Sequence, residues 1–147
     1  MTGQSLMDEL RTSTGATRTT LREAGAEGDF AVVAESLAEG ARSLRGDRTL
    51  DPRKGATFRY LTEYDDLLVQ DDALSHEFAP PAALCEHYGM RAQMLAPIKR
   101  DGELVGIVSV HHGPDPRRWR PTDIAAIERA AEQAAALVAA PDPDVRP

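Results

Sequence analysis

Apolar and polar positions along this chain change their period several times, and each change marks an element. Leu6, Met7 and Leu10 recur at helical spacing and predict a short helix over 5–14, with Ser5 and Asp8 as a capping box and Gly15 as its stop. The Thr-rich alternation from Ala16 to Glu23 predicts a strand, and Gly25 and Gly28 predict a turn. FAVVAE, from Phe30 to Glu35, then reads as the second strand of a hairpin. Residues 36–51 carry Gly40 and Gly46 and predict a loop with at most one strand fragment. Asp51 as N-cap and Pro52 at the first helical position predict one helix through Tyr64, with Phe58 and Leu61 buried. Leu67 to Gln70 reads as a short buried strand, 71–80 as a polar loop, and Pro81 to Tyr88 as a short helix with Gly89 as its C-cap.

The sharpest pattern lies between Met90 and Asp123. Two apolar runs flank Asp101-Gly102, a strong hairpin signal because Gly takes positive φ at no steric cost. The second run, Leu104 to His112, is nearly continuous in apolar or small residues, so both faces of this strand are expected to be covered. Pro97 hints at a bulge in the first run. The chain breaks at Gly113, Pro114 and Pro116, turns at Trp119 and enters an Ala-rich helix over about 122–139. Ile124, Ile127, Ala131, Ala134 and Val138 form its apolar stripe. Residues 1–140 read as one domain and 141–147 as a disordered tail.

Composition narrows the function classes. A chain of 147 residues, 41% hydrophobic and 28% charged, suits a globular domain with one core. The net charge of −7 argues against binding nucleic acid by this chain alone. No apolar run approaches the ~20 residues of a membrane span, and the N-terminus shows no basic-then-apolar leader. No membrane partner and a cytoplasmic location are therefore expected. The single cysteine, Cys85, excludes an internal disulfide and a Cys-only metal cage, and no metal is expected. An acidic cluster (Glu63, Asp65, Asp66, Asp71, Asp72) follows a basic stretch from Arg42 to Lys54, and both read as solvated loops.

The residues that could carry chemistry are arginines, histidines and aspartates. Arg18 and Arg22 share a strand face, as do Arg91 and Gln93, while Arg59 sits on the middle helix. A guanidinium fork matches a carboxylate or phosphate, so Arg18, Arg59 and Arg91 are candidate anion ligands, with Gln93 beside them. His111 and His112 end a strand and point to opposite faces. Asp71 and Asp72 end the Leu67–Gln70 strand, and Asp72 with His111 is a candidate acid–base pair. Hairpin pairing sets the strand end at His111 or His112 roughly level with Arg91, so His111, Asp72 and Arg91 are expected to converge. The competing account makes these structural ion pairs, a strand-end histidine bonded to a carbonyl, and a buried thiol. The chain has no nucleophile elbow, P-loop, dinucleotide fingerprint or H-E-x-x-H.

The element order and the segment G-M-R-A-Q-M-L-A-P-I…D-G-E-L-V-G, Gly89 to Gly106, resemble the GAF domains, a family of small-molecule sensor and regulatory modules. The resemblance runs from about Leu6 to Val138. It implies an α+β fold: a central antiparallel sheet with the terminal helices on one face and a ligand pocket on the other. The run His111-His112-Gly-Pro…Pro116-Arg117…Trp119 also looks like the end of a phytochrome-type GAF domain, which holds a linear tetrapyrrole through a cysteine. Cys85 departs from that pattern, since it lies close before Gly89 and His87 does not follow it directly, so no cofactor is expected. The first reading is a sensor domain for a polar, anionic metabolite. The alternatives are a small enzyme using His111 and an Asp on a carboxylate or amide, and a structural dimerisation module. A homodimer through Leu6–Leu10 and the terminal helix is expected in each case.

Overall fold

The computed structural model describes residues 1–138, so the tail expected over 141–147 lies outside the described residues. Helix α1 (Gly3–Thr14) starts earlier than the sequence suggests. Thr2 is its N-cap, and Ser5 is the reciprocal partner that bonds back to the Thr2 N–H at 3.0 Å. The capping box is thus real but placed three residues upstream, because Thr2 offers the same hydroxyl chemistry as Ser5. Gly15, at φ 66°, ends the helix as expected. Strands β1 (Arg18–Ala24) and β2 (Phe30–Leu37) follow as an antiparallel hairpin, and the chain then runs without regular structure to Asp51.

The single helix expected from Pro52 is broken. Pro52–Lys54 forms one 3-10 turn capped by Asp51, and α2 spans only Ala56–Glu63. Gly55 sits between them in extended conformation, and a Cβ there would stand 2.6 Å from the Pro81 ring. Leu61 is buried as expected and Phe58 partly so. Strand β3 (Leu68–Gln70) leads to α3, which is shorter than expected at Ala82–Glu86, with His87 rather than Gly89 as its C-cap.

Strands β4 (Ala92–Arg100) and β5 (Glu103–His112) form the hairpin, with Asp101 and Gly102 both at positive φ. That is the two-residue primed turn whose twist matches the strands. Arg100 faces Glu103, but the register shifts by one between Ile98 and Lys99, just after Pro97. Ala92 is therefore opposite His112 and Gln93 opposite His111. Arg91 lies one residue beyond the ladder, its N–H donating to His112 O at 2.8 Å. A shift of one residue exchanges the faces of a strand, so this bulge decides what His111 shares a face with.

The sheet order is β2-β1-β5-β4-β3. Helix α4 (Pro121–Ala135) packs with α1 against one face. The core there is apolar: Met7 and Ile127 from the helices meet Leu21, Met94, Val108 and Val110 from the strands. The buried side of α4 is Ala126, Ile127, Ala130 and Ala134, while Ile124 and Ala131 of the expected stripe are only partly buried. This apolar surface is engaged within the chain. What α1 and α4 turn outward includes Asp8, Thr12, Glu128 and Glu132. Among the described residues no helix is long and apolar enough to cross a membrane.

Candidate functional site

The other face of the sheet is buried as well, yet it is lined with polar side chains. Alternation along each strand sends Arg18, Thr20 and Arg22 of β1, Ser109 and His111 of β5, Gln93 of β4 and Gln70 of β3 to this side. All seven are buried, and so is Glu35 of β2, opposite Thr20. Loop 38–51, α2 and α3 close over them. Arg18 donates to Arg42 O through Nε at 3.1 Å and Nη2 at 2.6 Å, and Glu35 accepts the Leu44 N–H at 2.8 Å and the Ser43 hydroxyl. Tyr88 lies against both Arg18 and Arg42, whose guanidinium carbons stand 5.5 and 4.9 Å from its ring centre. Its hydroxyl bonds to Asp47.

Electrostatics sets this face apart. Burial lowers the pKa of both Arg18 and Arg22, and nearby Glu35 pulls each back up. Two buried guanidiniums thus stand against one buried carboxylate. His111 does not compensate. Burial, then the charges of Arg18 and Arg22, hold its pKa well below the ordinary 6.5. Its Nδ1 lies 3.2 Å from Arg18 Nη1. A guanidinium only donates, so Nδ1 accepts and the ring proton sits on Nε2. No protein acceptor takes that Nε2–H among the described residues. Arg22 gives one N–H to Phe30 O at 2.7 Å, and its other donors have no protein acceptor there.

These groups surround a cavity of about 40 Å³. Arg22, Gln93, Ser109 and His111 supply its polar wall, and Phe58, Leu61, Leu84, Leu95 and Ile107 its apolar one. A cleft of about 460 Å³ opens on the far side of Arg22, Leu50 and Pro52, which line both spaces. Gln93 Oε1 is buried without a donor. Among the described residues no group of three or more His, Cys, Asp or Glu side chains is placed to hold a metal.

The residues singled out from sequence divide between this site and its surroundings. His111, Gln93 and Arg18 reach it, although Arg18 is tied up in holding Arg42 and His111. Arg59 does not, because it occupies the solvent side of α2. Asp71 is exposed and anchors the segment before α4, taking the Trp119 N–H at 3.2 Å and, through its carbonyl, the Arg117 N–H at 3.0 Å. Arg91 and Asp72 find each other, with Nε–Oδ1 at 2.7 Å and Nη2–Oδ2 at 3.0 Å. That hydrogen-bonded pairing lowers the Asp72 pKa and raises that of Arg91. No hydrogen bond joins His111 to either of them among the described residues, so the expected convergence resolves into a pair at the rim and a histidine inside. His112 points to the opposite face, edge-on to Trp119. Cys85 is half-buried, and burial raises its thiol pKa. Gln70 and Ser109 also belong to this face: Ser109 and His111 alternate with Val108 and Val110 in the sequence, whereas Gln70 ends a three-residue strand too short to show a period.

Comparison with known proteins agrees with this architecture. The blue-light absorbing form of the Thermosynechococcus elongatus PixJ GAF domain superposes with a TM-score of 0.75 at 21% identity, over 92% of this chain and 81% of that one. The chromophore-binding domain of a Stigmatella aurantiaca bacteriophytochrome gives 0.71 at 21% identity, over 92% and 52%. The far-red absorbing dark state of JSC1_58120g3, with bound biliverdin IXa, gives 0.69 at 19% identity, over 91% and 85%. No curated protein matches. The GAF domain model matches residues 2–138, and the chain therefore belongs to the GAF domain family.

Proposed function

We propose that this GAF domain is a small-molecule sensor module whose ligand is small, polar and anionic, held on the buried polar face of the sheet. The observation that carries this reading is the charge count there: Arg18 and Arg22 are buried with Glu35 as the one buried carboxylate beside them. Isolated buried charge is costly, and an anion set against the spare N–H groups of Arg22 and the His111 Nε2–H offsets it. Arg22 is the pivotal residue, because Arg18 already holds two protein acceptors. Rim residues Arg91 and Asp72 satisfy each other and stand outside the binding set.

Size favours a modest ligand over a bilin. A cavity of about 40 Å³ accommodates roughly three waters. Sites for drug-sized ligands occupy ~300–1,000 Å³. A larger ligand has to displace the Leu50–Pro52 wall and join the cavity to the outer cleft. The alternative of an enzyme using His111 and Asp72 as its acid–base pair has less support, since Asp72 is bound to Arg91 and His111 to Arg18.

A thermal-shift screen of carboxylates, phosphates and cyclic nucleotides tests the reading. A true ligand at a hundredfold excess over its Kd stabilises the fold by about 2.7 kcal/mol. Anions are the expected hits, and Arg22→Met should remove their effect. Hits confined to neutral or cationic compounds contradict the proposal.

A further inference from the structure

Two buried amides give the cavity a chemical demand beyond charge. Phe78 presents only its carbonyl oxygen to Gln70, so the Gln70 Nε2 must donate there, at 2.6 Å. Gln70 Oε1 is then free to accept, and Gln93 Nε2 donates to it at 2.8 Å. Flipping Gln93 alone sets two oxygens against each other, and flipping both sets Gln70 Oε1 against the Phe78 carbonyl. The orientation of the pair is therefore fixed from the far end. It leaves Gln93 Oε1 as a buried acceptor lacking a donor, on a fully buried residue that lines the cavity. Directly across the ladder, His111 offers the opposite: a neutral ring with an Nε2–H lacking an acceptor.

We infer, building on the anion site proposed above, that the ligand carries a hydrogen-bond donor beside its anionic group, and that it is a short 2-hydroxycarboxylate. The carboxylate takes N–H groups from Arg22 and His111, and the hydroxyl donates to Gln93 Oε1. A hydrogen or methyl substituent meets the apolar wall of Leu61, Leu95 and Ile107. A 2-aminocarboxylate offers a donor too, but it sets an ammonium among two buried guanidiniums, where like charge opposes it. The cavity volume restricts the head group to a few non-hydrogen atoms, which glycolate satisfies.

Calorimetric titration of the whole chain at pH 7 with glycolate, acetate and glycine tests this. Glycolate should bind at least about tenfold tighter than acetate, the equivalent of one well-made buried hydrogen bond. Gln93→Met should shrink that ratio to about threefold or less. Equal binding of glycolate and acetate by the wild-type protein overturns the hydroxyl inference and leaves the anion site standing. Glycine binding as tightly as glycolate overturns it as well. If none of the three binds, the hydroxycarboxylate inference is overturned, and the thermal-shift screen of other anions decides the anion site. Should Gln93→Met fail to fold, the glycolate-to-acetate ratio of the wild-type protein decides alone.

Discussion

The two faces of the sheet are both buried and chemically opposite. Strand β5 shows this residue by residue: Val108 and Val110 enter the apolar core under α1 and α4, while Ser109 and His111 enter the polar cavity. The apolar face is closed mainly by packing, with a few side-chain hydrogen bonds such as that from Thr19 Oγ1 to the Met7 carbonyl at 2.7 Å. The polar face is tied by hydrogen bonds to Arg42, Ser43 and Leu44 of loop 38–51 and to the Phe78 carbonyl. Helices α2 and α3 cover it with Leu61 and Leu84, and Thr20 Oγ1 and Gln93 Oε1 are left without partners. A fold that stabilises itself on one side can tolerate unmet polar groups on the other, and the proposed binding site rests on that asymmetry.

The comparison is broken most strongly on the apolar side. Met94 is fully buried among Val108, Val110 and the terminal helices. Met94→Ala should cost about 2–5 kcal/mol in urea unfolding. A loss below about 1 kcal/mol would mean that this face is looser than described.

Acid sharpens the contrast next. In the unfolded chain a histidine takes its proton near pH 6.5. In the folded chain burial and the two arginines keep the His111 pKa well below that. Between those values the unfolded state binds more protons, so stability is complete above pH 6.5 and falls as the pH drops. The slope is at most about 1.4 kcal/mol per pH unit. His112, lowered by burial and by Arg117, acts in the same direction. Urea unfolding at pH 7 and 5.5 should show a smaller loss in His111→Asn than in the wild-type protein, and an unchanged loss would contradict a buried neutral ring.

Arg22→Met has a smaller expected effect on stability, about 1 kcal/mol, because the relief of removing a desolvated charge is offset by the loss of the donor to the Phe30 carbonyl. Its expected effect on anion-induced stabilisation is complete loss. The smallest change is expected at the rim. Arg91→Ala should leave the unfolding midpoint nearly unchanged and anion binding intact, since the Arg91–Asp72 pair lies at the rim with both side chains partly exposed. Lost anion binding in that variant would return Arg91 to the site.

Much of this was legible because it is local. The Asp101-Gly102 turn, the β1–β2 hairpin, the Leu68–Gln70 strand and the terminal helix all follow from period and turn chemistry within short windows. Where neighbouring signals competed, boundaries moved: Thr2 displaced Ser5 as N-cap, and Gly55 divided the expected α2. The site was only half legible. That His111 and Gln93 share a face depends on one bulge after Pro97, which the sequence hints at without fixing. That Arg91 meets Asp72 and not His111 depends on β3 lying at the sheet edge beside β4. Arg59 has the guanidinium fork of an anion ligand, yet helix geometry turns it to a different side from its neighbour Phe58, and Arg59 faces water.

The central claim is that a small anion sits against Arg22 and the Nε2–H of His111. Long-range ¹H–¹⁵N NMR of the histidine rings during a glycolate titration tests it most directly. The account predicts a neutral His111 ring protonated on Nε2 at pH 6, with a saturable shift of the Nε2 resonance that vanishes in Arg22→Met. A ring protonated on Nδ1, or a His111 signal that stays still while glycolate binds, would contradict it.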